Sequence, residues 1–198
     1  MRDTREEQTE DVSSPSLHRP ASSMSADLLY PLSLFRRNDG RELPPFEVID
    51  GAAMPEPYRS LLVHHGDMTS RLEAFHQGTI VLEVLHREET PLAYRREVVL
   101  HVEDVGTPVE YGAIEIDLSA FDGQVRETIV EAHLPLGGVL NQYGVSYRSE
   151  PRAYIKLGQD EIMDQLFGVA DAVHYGRCNL LLGEEDRVLA RIVEVLRP

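Results

Sequence analysis

The chain has a single cysteine, Cys178, and no uninterrupted apolar run approaching the roughly 18 residues of a membrane span. One thiol cannot build an internal disulfide framework and fits a reducing compartment. The N-terminus lacks the apolar segment of a secretory leader, so a soluble cytoplasmic protein is the expectation. The familiar chemical signatures are missing too: there is no Walker loop, no G-x-G-x-x-G, no H-E-x-x-H, no C-x-x-C and no G-x-S-x-G. Their absence removes the usual nucleotide, zinc and hydrolase readings. Positive charge is scarce, with 19 Lys and Arg against 34 Asp and Glu and a formal net charge of −15. Such a surface repels phosphate backbones and anionic lipid, so neither nucleic acid nor membrane is an expected partner. A small anionic ligand would have to be held by local positive charge in a pocket, against the sign of the whole molecule.

With 198 residues, 42% of them hydrophobic, the chain can bury one sizeable core. Residues 1–26 are polar, rich in Ser, Thr and acidic side chains, and lack periodicity, which reads as a disordered tail before a single domain over 27–198. Met24 is a candidate for the true start. Residues 28–55 are broken by Asn38-Asp39-Gly40 and Pro44-Pro45 and read as irregular wrapping structure. A short helix is expected over 56–63 and a second over 68–77, where Ser70 and Glu73 have capping-box spacing and Gly78 marks the end. Alternating patterns over 79–87, 93–102 and 109–117 predict an antiparallel meander. A helix capped by Asp117 or Ser119 then runs to about 132, with another near 138–143, a strand over 151–157 and a helix over 160–167 ended by Gly168. A final hairpin joins 171–182 to 187–197 through Gly183-Glu184-Glu185-Asp186. Clustered strands and helices disfavour parallel winding, so the expected class is α+β, an antiparallel β-sheet with helices packed on one side.

Two charged residues break this apolar patterning. On the last strand Val188, Ala190, Ile192, Glu194 and Leu196 share a face, and on 93–102 the face of Tyr94, Val98, Leu100 and Val102 also carries Arg96. An ionised group in such a row costs several kcal/mol unless it is met by a partner. Either the two neutralise each other as a buried ion pair, or Arg96 holds a ligand carboxylate while Glu194 meets a hydroxyl at its other end. Direct contact of their charged tips would argue for the pair. His64 and His65 are adjacent and point apart without a third ligand spaced to join them, so no metal site is expected. Cys178 has no nucleophile motif around it and reads as a small core residue. Met68, taken alone, reads as core packing.

Four segments together resemble the chorismate lyases, enzymes that form 4-hydroxybenzoate and pyruvate from chorismate. Leu61–Glu73, with Asp67-Met68-Thr69-Ser70-Arg71, is similar to the family's "L…SMT.R.E" entry, Arg96-Glu97-Val98-Val99-Leu100 to its "REILL" strand, Leu134-Pro135-Leu136-Gly137 to its "PLG" turn, and Tyr175–Pro198 to its closing "GRRS…TELFLP" hairpin. Order and spacing match over residues 55–198, closer to the divergent actinobacterial and archaeal branch than to the enterobacterial enzymes. The resemblance implies an antiparallel sheet with helices on one side and helical flaps closing the site. It implies ligand contacts at Met68, Arg96, Leu136 and Glu194, with Arg96 on the ring carboxylate and Glu194 near the ring hydroxyl.

The same resemblance implies a lyase that eliminates pyruvate from chorismate without metal or organic cofactor. Arg96 and Glu194 would be its catalytic residues, while Met68 and Leu136 press on the ring and exclude water. Chorismate carries two carboxylates, and the 109–117 face of Val109, Tyr111, Ala113 and Glu115 offers no second arginine; Arg177, His101 and Tyr94 are the candidates. The alternative is a non-catalytic binder of a small hydroxylated aromatic or cyclohexadiene carboxylic acid, because the related fold also serves as the effector module of bacterial transcription regulators. No helix-turn-helix pattern precedes residue 55, which weighs against a regulator but not against binding. A structural protein with a buried ion pair is the third reading.

Overall fold

The structure, a computed structural model, describes residues 28–197; the expected N-terminal tail lies outside them. Its elements run in the order α1 (Leu32–Asn38), β1 (Phe46–Ile49), α2 (Tyr58–Leu62), α3 (Met68–His76), β2 (Ile80–Glu89), β3 (Ala93–Val102), β4 (Thr107–Asp117), α4 (Gly123–Glu131), α5 (Leu136–Gln142), β5 (Arg148–Leu157), α6 (Glu161–Phe167), β6 (His174–Leu182) and β7 (Val188–Leu196). The seven strands form one antiparallel sheet in the order β1-β5-β6-β7-β4-β3-β2. Two meanders, β2-β3-β4 and β5-β6-β7, are thus zipped together where β4 meets β7, and the last strand of the chain is the central one.

The α+β class and the antiparallel sheet are as the sequence leads one to expect. Helices α2–α5 lie on the face of Tyr94, Val98, Leu100 and Leu196. The other face is also covered: α1 and α6 lay Leu32, Phe35, Met163 and Phe167 on Val99, Tyr111, Cys178, Val193 and Val195. Each side chain so buried contributes about 1.5–3 kcal/mol. Helices of five to nine residues are not stable in isolation, so α2–α5 hold their shape only through the apolar residues they press on the sheet.

Several local readings need correction. Residues 28–55 are not irregular throughout: they hold α1 and the edge strand β1, which pairs with β5 from Phe46 opposite Leu157 to Ile49 opposite Tyr154. Helix α3 is capped by Asp67, whose carboxylate accepts from the Ser70 amide at 2.8 Å, and its left-handed terminal residue is Gln77, not Gly78. The helix expected after Asp117 is divided: Asp117 caps a single 3₁₀ turn, Leu118–Ala120, and α4 starts afresh at Gly123.

The 109–117 face is also reassigned. A β-bulge at Val109 of β4, opposite Leu100 and His101, shifts the register with β3, so Val109 packs with Leu100 and Leu196 while Tyr111 and Ala113 turn to the α1/α6 side. The residues of β4 that look the same way as Arg96 are Glu110, Gly112 and Ile114, opposite Leu100, Val98 and Arg96 respectively.

Candidate functional site

On the α2–α5 side the sheet and the first turns of α3 and α5 enclose a cavity with about 70 Å³ open to the centres of water-sized spheres. That is several times the roughly 10–15 Å³ that one water requires. Its floor is laid by Arg96, Val98 and Leu100 of β3, Glu110, Gly112 and Ile114 of β4, Ile192 and Glu194 of β7, and Arg177 and Asn179 of β6. Asp67 and Met68 from α3 and Pro135, Leu136 and Gly137 from α5 close it from above. A Cβ on Gly137 would collide with the Asp67 carboxylate, so glycine at 137 lets the two flaps meet with the Asp67 cap in place. Gly112 has the same role in the floor: a Cβ there would stand 2.8 Å from the Val193 carbonyl oxygen of β7.

Met68, Arg96, Leu136, Arg177 and Glu194 all lie on this one cavity, whereas the other two candidates for a second carboxylate, His101 and Tyr94, do not. The pairing is different from either alternative left open. Glu194 accepts two hydrogen bonds from Arg177, from Nε and from Nη2, and Arg177 Nη1 donates to the Leu62 and His64 carbonyls, each at 3.2 Å. The guanidinium of Arg177 is 1% exposed, and all three of its nitrogens are engaged. Burial opposes its charge, but Glu194 more than offsets that and holds its pKa above the ordinary value.

Arg96 is in the opposite condition. It is 2% exposed, and among the described residues only Nη2 has an acceptor, the Leu134 carbonyl at 3.1 Å, while Nε and Nη1 have no partner. Burial drags its pKa down to about 10, with Tyr94 pulling the other way. Tyr94, whose ring centroid lies 6.0 Å from the guanidinium carbon, keeps an unpaired buried hydroxyl and is not part of the cavity lining. His101, another candidate for a second carboxylate, is turned to Glu83 at 2.8 Å and also lies off the cavity.

Glu110 is a site residue that strand alternation does not single out. It is 5% exposed, lines the cavity, and its Oε2 has no hydrogen-bond partner. Burial, and then the neighbouring Glu194 carboxylate, push its pKa well above the ordinary carboxylate value. Level with Ile192 and Ile114, Asn179 bonds Ser149, its Nδ2 donating to the hydroxyl at 2.9 Å. His64 and His65 serve locally: His64 Nδ1 accepts from the Gly66 amide at 3.0 Å, and His65 Nδ1 lies 3.3 Å from the Ser149 carbonyl. Burial and Arg177 lower the His64 pKa to about 4. Cys178 faces the α1/α6 core, where burial pushes its thiol up to about 12. No helix among the described residues is long and apolar enough to cross a membrane.

By sequence, no family model and no curated protein matches the chain. Solved structures do. The effector domain of PhnF from Mycobacterium smegmatis is similar with a TM-score of 0.53 at 14% identity, over 67% of this chain and 88% of that one. PhnF from the same organism gives 0.54 at 12% identity, over 84% of this chain and 93% of that one. A GntR-family regulator from Bacillus cereus aligns over 60% of this chain and 92% of its own with a TM-score of 0.44 at 10% identity. The chain therefore has the α+β fold of the PhnF effector domain.

Proposed function

We propose that this domain binds a small organic acid carrying one carboxylate, with Arg96 as the residue that receives it. The observation that carries the reading is the pair of unpartnered donors, Nε and Nη1, on a guanidinium buried in a cavity wall. A guanidinium has two edges with parallel donors, Nε with Nη2 and Nη1 with Nη2. Whichever Nη2 proton goes to Leu134, the other still lies beside a free nitrogen, so one complete edge remains for two-pronged capture of a carboxylate. Leu82, Val98, Leu136, Ile114 and Ile192 supply apolar walls suited to a ring or short carbon skeleton. The likeness to an effector domain fits this reading.

Elimination of pyruvate from chorismate is the second reading, favoured by Met68, Arg96, Leu136 and Glu194 sharing one cavity as the resemblance implies. Against it stands the second carboxylate of chorismate. Among the described residues the cavity offers no other free cation, since Arg177 is committed to Glu194.

A thermal-shift and turnover experiment separates the two. Under the binding reading 4-hydroxybenzoate raises the melting temperature of the wild type, the rise disappears in Arg96→Met, and chorismate yields no 4-hydroxybenzoate above its spontaneous background. Product formation above background establishes the lyase; no response to 4-hydroxybenzoate or benzoate refutes the carboxylate site.

A further inference from the structure

Glu110 has no role in either reading, yet its surroundings define one. Its carboxyl is buried in the cavity wall with Oε2 unpartnered, and the adjoining charges on the cavity are the Glu194 and Asp67 carboxylates and the Arg177 guanidinium. The one cation of these is already paired with Glu194. A carboxylate anion there would face two others with no donor of its own, whereas the neutral acid is an O–H donor awaiting an acceptor.

Its position relative to Arg96 is fixed by the sheet. Arg96 is opposite Ile114 on β4, and Glu110 lies four residues further along that strand. At the usual strand rise this separates the two backbones by about 13 Å. Both side chains are long and line the same cavity, and between them the floor consists of Val98 and Gly112. A Cβ at 112 would stand 3.5 Å from Glu110 Oε1, so the acid lies over Gly112, nearer the Arg96 end of the cavity than its own backbone.

We infer that Glu110 is a specificity residue: it stands in the cavity as the neutral acid and donates its proton in a hydrogen bond to an oxygen of the ligand, on the side away from the ligand carboxylate. The ligand class is then a ring monocarboxylic acid with an acceptor oxygen, as hydroxyl, carbonyl or ether, across the ring. This rests on the reading of Arg96 as a carboxylate receptor. Anion capture sets one end, and the neutral donor favours an uncharged oxygen over a second carboxylate at the other, since only the former is met without adding charge beside Glu194 and Asp67.

Benzoate and 4-hydroxybenzoate differ by that one oxygen and serve as probes. By calorimetry the wild type prefers 4-hydroxybenzoate over benzoate by about three- to tenfold, the range of one neutral hydrogen bond. In Glu110→Leu the preference collapses to about twofold or less while benzoate affinity is kept, and Glu110→Gln, whose amide still donates, retains it. Infrared difference spectra give a readout independent of any variant's folding. The wild type at neutral pH shows the C=O stretch of a protonated carboxyl group, and that band shifts when 4-hydroxybenzoate binds but not when benzoate binds. A preference that survives Glu110→Leu, or a missing or unmoved band, overturns the assignment of Glu110 while leaving the Arg96 site intact. Failure of both probes to bind the wild type removes the carboxylate site, and this inference with it.

Discussion

Replacing Arg96 by Met should stabilise the unliganded protein and abolish its response to ligand. Its pKa falls to about 10, roughly two and a half units below the ordinary arginine value, because burial penalises the charge. At 1.36 kcal/mol per unit the folded state bears a cost of about 3 kcal/mol for keeping this group ionised. Methionine removes the charge and refills much of the space, at the loss of one hydrogen bond to Leu134 worth about 1 kcal/mol or slightly more. The net gain is about 1–2 kcal/mol, which for a domain of this size raises the melting temperature by about 2–8 °C. A ligand at a hundred times its dissociation constant adds about 2.7 kcal/mol to the wild type and nothing to the variant. Differential scanning fluorimetry with and without 4-hydroxybenzoate measures both. A residue kept for structure gives the reverse signs: a melting temperature that drops in Arg96→Met, or a ligand response that persists, refutes the reasoning.

Two further outcomes follow from the same charges. Arg177→Met leaves Glu194 buried without its partner and should destabilise by about 3–5 kcal/mol, a fall that urea unfolding would register and that sets Arg177 apart from Arg96. Glu110 has a raised pKa when folded, so the native protein holds its proton while the unfolded chain releases it; stability from this group is complete below the unfolded value near 4.5 and declines as pH rises from there through the folded value. Glu110→Gln removes the decline, so the stability of the variant relative to wild type should grow with pH above about 4.5. An unchanged difference between pH 4 and 8 contradicts that assignment.

The sheet was legible because its strands alternate cleanly, as in Tyr94, Arg96, Val98 and Leu100, and the cavity face of β3 and β7 could be read from that period alone. What escaped was set by single-residue irregularities. In the β6–β7 hairpin a straight register from Leu182 opposite Val188 would place Arg177 against Val193; a bulge at Leu181/Leu182 moves it one place, opposite Glu194. In β3–β4 the bulge at Val109, opposite Leu100 and His101, puts Glu110 on the floor and Tyr111 on the far side. A shift of one residue exchanges the two faces of a strand, so each bulge changes which charged group enters the cavity. The missed α1 had a weaker signal, Leu29, Leu32 and Phe35 three apart beside Pro31, and β1 is a four-residue edge whose stability comes from pairing with β5. The approach of Gly137 to Asp67 joins elements distant in sequence, which no local pattern encodes, whereas the Asp67 cap on the Ser70 amide was open to a local reading.

Two arginines and two glutamates in one buried cavity would be a poor way to stabilise a fold if all four were structural, since well-packed apolar residues commonly serve as well or better than buried ion pairs. Their arrangement is asymmetric. Arg177 and Glu194 satisfy each other and anchor the α2–α3 connection through the Leu62 and His64 carbonyls, so that pair shapes the wall. Among the described residues Arg96 has one hydrogen bond, to Leu134, and the Tyr94 ring nearby, while Glu110 Oε2 has no partner, and their backbones are four strand residues apart along the floor. With Glu110 neutral, the buried floor carries one uncompensated positive charge. In a chain whose net charge is −15, that local charge is what a small anion would find attractive, and it balances one carboxylate. A dianion such as chorismate would bring its second charge into a space where the remaining cation is already paired, so turnover of chorismate would require Arg177 to release Glu194 first.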